Sequence, residues 1–268
     1  VADGSIAGVS TLKGKVSEDE WRVRVDLAAL YRLVAREGWD DLIYTHISAR
    51  IPGPEHHFLL NPYGYFFEEI TASSLVKVDL EGNVLQDTPD FINAAGFTIH
   101  SAVHAARDDA MFVMHLHTND GCAVAAQAEG LLPLTQHGLV TLPRLAYHDY
   151  EGIALNLDER ERLVADLGEK SVMLLRNHGT LACGSTAAAC WNAMYYLEKA
   201  CQQQVGALAA GRDKILLAPQ SAQDEVKRQT GYGQTNRASS ETVNNGMGNL
   251  LWPACLRRLD RELPGYDA

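Results

Sequence analysis

Two short apolar runs in this chain end abruptly in histidines, and few folds can use such an ending. Met111-Phe112-Val113-Met114 passes directly into His115-Leu116-His117-Thr118, and Ser171-Val172-Met173-Leu174-Leu175 breaks into Arg176-Asn177-His178-Gly179. Each run is the length of a buried strand, and the glycine permits a close backbone approach. Residues two apart in a strand face the same side, so His115 and His117 can converge on one point. In α/β folds ligands gather where apolar strands give way to polar residues, so two such strands can bring three imidazoles together. Three imidazoles plus an open position suit a divalent metal that works on substrate or water. The spacing leaves other readings open: histidines at a sheet rim that hydrogen-bond locally, and a His178 that caps its own turn.

The rest of the chain alternates helix with strand. Ser17-Glu18-Asp19-Glu20 has the form of a capping box, followed by the apolar stripe Trp21, Val25, Leu27, Leu30 and Val34 and a stop at Gly38. Residues 42–49 read as a strand with Phe58-Leu59-Leu60 as hairpin partner, and Asp79–Asn83 as a tight turn. Helical patterns cover 94–107, 121–128, 158–167 and 186–210, with a short strand expected at Leu139–Leu142, stopped by Pro143. Without a linker-like stretch in the middle, residues 17–215 read as one α/β domain. A flexible segment, 1–16, precedes it. An extension, 216–268, follows, with a mobile or partner-stabilised loop over 220–250, rich in Gln, Ser, Asn and Gly, before a terminal helix at Leu250–Leu259. Alternation alone would suggest a parallel sheet.

Lys+Arg 23 against Asp+Glu 34 gives a net charge of -11, which argues against nucleic acid or an anionic membrane as partner. A local basic pocket for a small anion remains compatible with it. No window approaches 18 continuous apolar residues, so no transmembrane helix is expected. The first sixteen residues lack the apolar block of a signal peptide. Five cysteines without a CxxC pair read as reduced thiols packed in the core of a cytoplasmic protein.

The HxH and Leu174-Leu175-Arg176-Asn177-His178-Gly179 segments occur together with Tyr44-Thr45-His46-Ile47-Ser48-Ala49-Arg50, Leu59-Leu60-Asn61-Pro62-Tyr63-Gly64 and residues 69–84, EITASSLVKVDLEGNV. In that order they resemble the class II aldolase/adducin family, over about residues 20 to 215. The tail from Trp252-Pro253 to Asp260 is similar to the bacterial adducin-like branch. The resemblance implies a three-layer α/β/α fold with a mostly antiparallel central sheet. It also implies a divalent metal held by His115, His117 and His178, and a homo-oligomer, with a tetramer favoured and sites between subunits. Zinc is the first choice of ion, although imidazoles also accept manganese, iron and cobalt.

The chain departs from the aldolases where their chemistry needs a proton carrier. Gly96 stands in place of the family's acid/base glutamate, and Ala94 and Ala95 in place of its phosphate-binding serines. A second phosphate segment appears here as His46-Ile47-Ser48, with Thr45 in place of a glycine, and Gly64 survives from the cradle. A phosphorylated substrate would lose most of its donors. His137 falls near the loop from which the aldolases present a tyrosine acid; it either moves protons or bonds to backbone. Tyr147, in the polar run Tyr147–Gly152, is a second candidate, set against plain turn chemistry. His46, Gly64 and Asn177 are candidate substrate contacts. Asn177 either orients His178 or a substrate oxygen, or bonds to backbone at the strand end. His100 and His104 read as a packed helix face, and Glu68 and Glu69 as solvated acids. The expected function is a metal-dependent carbon–carbon lyase of aldolase or decarboxylase type, acting on a small oxygenated carbonyl compound without phosphate. The rival is a binding or assembly protein like the adducin head, which keeps the fold without catalysis.

Overall fold

Among the described residues, a seven-stranded sheet runs in the order β3-β2-β1-β4-β7-β6-β5. The computed structural model describes residues 11–152, 158–231 and 237–268. The strands are β1 (His46–Arg50), β2 (Phe58–Leu60), β3 (Val76–Val78), β4 (Phe112–Leu116), β5 (Leu145–His148), β6 (Val172–Leu175) and β7 (Gly179–Gly184). Every neighbouring pair is antiparallel except β5 with β6. The mostly antiparallel sheet is therefore present, and the parallel arrangement suggested by alternation is not. The reason is local. β6 returns as β7 across a hairpin too short for a helical crossover, and a parallel return would need a dozen residues or more.

Helices cover both faces of the sheet. On one side lie α1 (Glu18–Glu37) and α6 (Ala187–Leu208), packed on Ile47, Ala49, Met114, Leu116 and Ala182. On the other, α2 (Ala94–Ala106) and α5 (Glu159–Leu167) bury Ile99, Val103, Leu163 and Leu167 against Val113, Met173, Leu181 and Cys183. The alternation of strand side chains thus divides the apolar core into two layers.

Several local expectations change. The strand expected over residues 42–49 is confined to β1, and Leu42 and Thr45 lie in a turn before it with positive φ. Ser17 Oγ does cap α1, accepting from Glu20 N at 3.1 Å. Glu20, however, does not close a capping box; it is buried and receives Arg24 Nε and Lys77 Nζ, each at 2.9 Å. Leu139–Leu142 is not a strand. Thr135 caps a short helix, α4 (Gln136–Thr141), and the strand follows Pro143 as β5. A four-residue apolar run carries too few turns for its period to be read, so the cap and packing on α6 decide. A seven-residue helix, α3 (Asn119–Ala125), follows β4.

Within the segment expected to be a loop, Gln220–Thr230 form α7, and α8 begins at Arg237 and runs to Glu262, with residues 232–236 outside the described set. The end of α8 packs on α1 and α6: Leu259 is fully buried, and Trp252 Nε1 donates to Asp26 Oδ1 at 2.9 Å. Beyond it, Ala72 N donates to Tyr266 O and Ser73 N to Ala268 O.

Tyr31 ties the first layer to the sheet. Its fully buried hydroxyl accepts from Ile47 N and donates to Asn61 Oδ1, both at 2.8 Å. Tyr31→Phe leaves those two groups unpaired and is expected to cost about 1–3 kcal/mol in urea unfolding, with the fold retained.

Candidate metal centre

The three histidines do meet. His115 lies in β4, His117 one residue beyond its end, and His178 in the turn between β6 and β7. Their ring centroids are 4.7 Å (His115–His117), 4.7 Å (His115–His178) and 4.9 Å (His117–His178) apart. One nitrogen from each ring can be chosen so that all three lie within 4.8 Å of one another. Two backbone features allow this. Asn177 turns the chain through a left-handed conformation at φ 55°. Gly179 then passes so close to β4 that a Cβ there would lie 2.3 Å from Leu116 O and 3.0 Å from His117 Cδ2.

Partners outside the cluster set the tautomers. His115 Nδ1 donates to Thr180 O at 2.9 Å, and His117 Nδ1 to Asp41 Oδ2 at 3.1 Å. Each ring is left with Nε2 as its free lone pair, and these two atoms stand 3.0 Å apart. Two facing lone pairs at that distance call for a cation beside them. Burial, reinforced by the neighbouring imidazoles, holds His115 well below the usual histidine range and brings His178 down to about 4. Both rings are neutral at neutral pH, as metal binding would require. The donor set fits a divalent transition ion with three protein nitrogens.

Asp41 reaches His117 from a strained turn. Leu42 has φ 52° and Thr45 φ 62°, an outlying conformation for a β-branched residue. Thr45 Oγ1 is buried without a hydrogen-bond partner among the described residues. No spacing rule links residue 41 to residue 117, so Asp41 escaped the sequence reading. Thr180, whose carbonyl holds His115, escaped it for the same reason.

The other sequence candidates are placed as follows. His46 is the cross-strand partner of His115, with ring centroids 5.2 Å apart. Asn177 is exposed, and its N–H donates to Ala125 O at 3.4 Å. Gly64 lies in the loop after β2 at φ 103°, with open space around its Cβ position. Tyr147 has its ring under the Arg176 guanidinium, 4.3 Å from the centroid, and its hydroxyl accepts from Leu131 N at 3.0 Å. His137 sits on α4 against α6, with Nδ1 3.2 Å from Gln203 Nε2. Within the chain, then, His46 and Asn177 adjoin the triad, whereas His137 and Tyr147 are engaged elsewhere. From the same polar run it is Tyr150 that approaches, half exposed, with its ring 6.1 Å from His178.

Behind the centre, on the α6 side, Glu198 is buried and accepts from Thr180 Oγ1 at 2.6 Å and from Thr118 Oγ1 at 2.5 Å. Burial, only partly offset by the two threonines, raises its carboxyl to about 7.

A three-layer α/β/α domain with a three-imidazole cluster at strand ends defines a class, and comparison with known proteins supplies the family. The family described as Class II Aldolase and Adducin N-terminal domain matches residues 25–205. The chain is 69% identical over 267 residues to a Caulobacter vibrioides protein provisionally named an aldolase class 2 protein, covering 99% of each. It is 38% identical over 266 residues to rat alpha-adducin, covering 96% of this chain but only 36% of that protein. Among solved structures it matches an aldolase II superfamily protein from Pseudomonas syringae with a TM-score of 0.88 at 48% identity, covering 97% and 100% of the two chains. An L-fuculose 1-phosphate aldolase from Glaciozyma antarctica matches with a TM-score of 0.71 at 28% identity, covering 91% and 94%. The chain belongs to the class II aldolase and adducin family.

Two measurements check the geometry. Asp41→Asn weakens the anchor of His117 and is expected to lower zinc affinity about 10–100-fold in a chelator competition. The unfolded chain releases the Glu198 proton near the ordinary carboxyl value, whereas the folded chain holds it to about pH 7. Stability from the protonated form is therefore full below about pH 4.5 and falls as pH rises through 7. Glu198→Gln, which resembles the protonated acid, should flatten this decline, gaining on the order of 2 kcal/mol at pH 8 relative to pH 5 in urea titrations.

Proposed function

We propose that this protein is a metal-dependent carbon–carbon lyase, of aldolase or decarboxylase type, acting on a small oxygenated carbonyl compound without a phosphate group. The observation that carries this reading is the triad, in which Thr180 and Asp41 leave the Nε2 atoms of His115 and His117 as lone pairs beside His178. A divalent ion held by these three residues, zinc in the first instance, would supply a Lewis acid that lowers the energy of negative charge developing on a substrate oxygen. Asp41 and Thr180 orient the ligands, and the buried strand ends exclude water from one side of the site.

The position opposite His46 bears no side chain, since Gly96 occupies it. That favours decarboxylation over retro-aldol cleavage: loss of CO2 leaves the electron pair on carbon without removal of a hydroxyl proton, and only reprotonation remains. His137 and Tyr147 lie apart from the triad of their own subunit, so a proton-returning role for either belongs to a homotetramer with shared sites. The five unpaired thiols suit a reducing, cytoplasmic setting.

Similarity to alpha-adducin over nearly the whole chain supports a second reading, a non-catalytic assembly domain that keeps the fold and metal site. Elemental analysis and a substrate panel separate the two. The lyase reading expects about one divalent ion per chain, its loss in His115→Ala, and aldehyde or CO2 release from at least one hydroxy- or keto-acid in the panel. Metal retained undiminished by His115→Ala, or no turnover by the loaded protein across the panel, would sink it.

A further inference from the structure

The layer between β1 and α2 is polar where a core should be apolar, and its hydrogen bonds run in a single direction. His46, Ser48, His100 and His104 are all buried there, each at most 4% exposed. Ala110 O can only accept, so His104 Nδ1 carries a proton and donates it at 2.9 Å. Burial keeps His104 neutral, and each contact along the series has room for a single proton. His104 Nε2 therefore accepts, from Ser48 Oγ at 2.7 Å. Ser48, its one proton spent, accepts from His100 Nδ1. His100 Nε2 in turn accepts from His46 Nδ1 at 2.8 Å. The tautomer of His46 is thus set from four residues away, and Nε2 is its lone pair. Because the series ends on a carbonyl, it fixes a tautomer and does not conduct protons.

The position of that ring is equally constrained. His46 and His115 are paired across β1 and β4, so both project from the same face at the same end of the sheet. A Cβ at Gly96 would lie 2.4 Å from His46 Cδ2 and 2.8 Å from Nε2. The imidazole therefore fills the room a side chain at position 96 would use, and no group from that position competes with it.

We propose that His46 is a specificity-determining residue: its Nε2 accepts a hydrogen bond from a neutral hydroxyl of the substrate beside the metal centre and turns away a phosphoryl group there. A fixed acceptor rewards a donor and repels an anion, whereas the phosphate sites of proteins are built from donors. The inference rests on the metal-centre reading above and adds the class of substrate, a hydroxylated carbonyl compound.

Calorimetry on the zinc-loaded protein with three hydroxamates tests it. Acetohydroxamate offers only the chelating group, glycolohydroxamate adds one hydroxyl, and phosphoglycolohydroxamate carries a phosphoryl group in its place. The wild type is expected to bind glycolohydroxamate about tenfold tighter than acetohydroxamate, and the phosphorylated compound no tighter than acetohydroxamate. His46→Leu should abolish the hydroxyl preference and leave acetohydroxamate within about twofold of the wild type. Absence of the preference in the wild type, its survival in His46→Leu, or tight binding of the phosphorylated compound overturns the proposal with the metal site intact. A protein that retains no zinc, or zinc-loaded protein that binds no hydroxamate, overturns both readings at the metal. Histidine 15N shifts give a readout independent of the variant's folding: His46 is expected in the Nδ1–H form, and the Nε2–H form overturns the proposal.

Discussion

The site depends on the antiparallel pairing of β4 with β1 on one side and β7 on the other. That pairing sets His46 opposite His115 and brings the β6–β7 turn, with His178, to the end of β4. The close pass of Gly179 over Leu116 is the contact that allows it. A slip of one residue in either ladder would turn His115 into the opposite layer and disperse the three rings. The centre is therefore held chiefly by backbone hydrogen bonds of the sheet core, to which the turn before β1 adds the Asp41 anchor of His117.

Both faces of the sheet are covered, yet they differ in chemistry near the site. The α6 side meets β4 and β7 with one buried acid between two threonines. The α2 side meets β1 with three imidazoles and a serine hydroxyl. Buried polar groups are costly unless every one is matched. Here one carbonyl at the far end supplies the match and imposes a single proton arrangement on the whole series, so what would otherwise be a weakness in the core becomes a rigid boundary for the site.

Much of this was legible in the sequence, for identifiable reasons. The HxH and the histidine after β6 stand out because polar residues interrupt apolar runs, and such interruptions survive any error in strand boundaries. The sheet's mostly antiparallel order was visible only through family resemblance, since nothing in an alternating pattern reports strand direction. β1 illustrates the remaining gap: His46, Ser48 and Arg50 alternate with Ile47 and Ala49 as if one face met water, but α2 covers that face. His100 and His104 read correctly as a packed helix face, though not as the partners of those strand residues. Asp41 and Glu198 were invisible because each acts on a segment distant in sequence.

The strained turn before β1 carries a trade between folding and function. Leu42 and Thr45 hold left-handed backbone conformations that glycine would adopt without penalty, and the turn they form aims Asp41 at His117. The chain is thus kept from its most relaxed local shape at the place where the ligand is oriented. Selection for stability alone would drift this turn towards glycine and slacken the carboxylate, so a rigid hold on His117 and ease of folding pull on the same five residues in opposite directions.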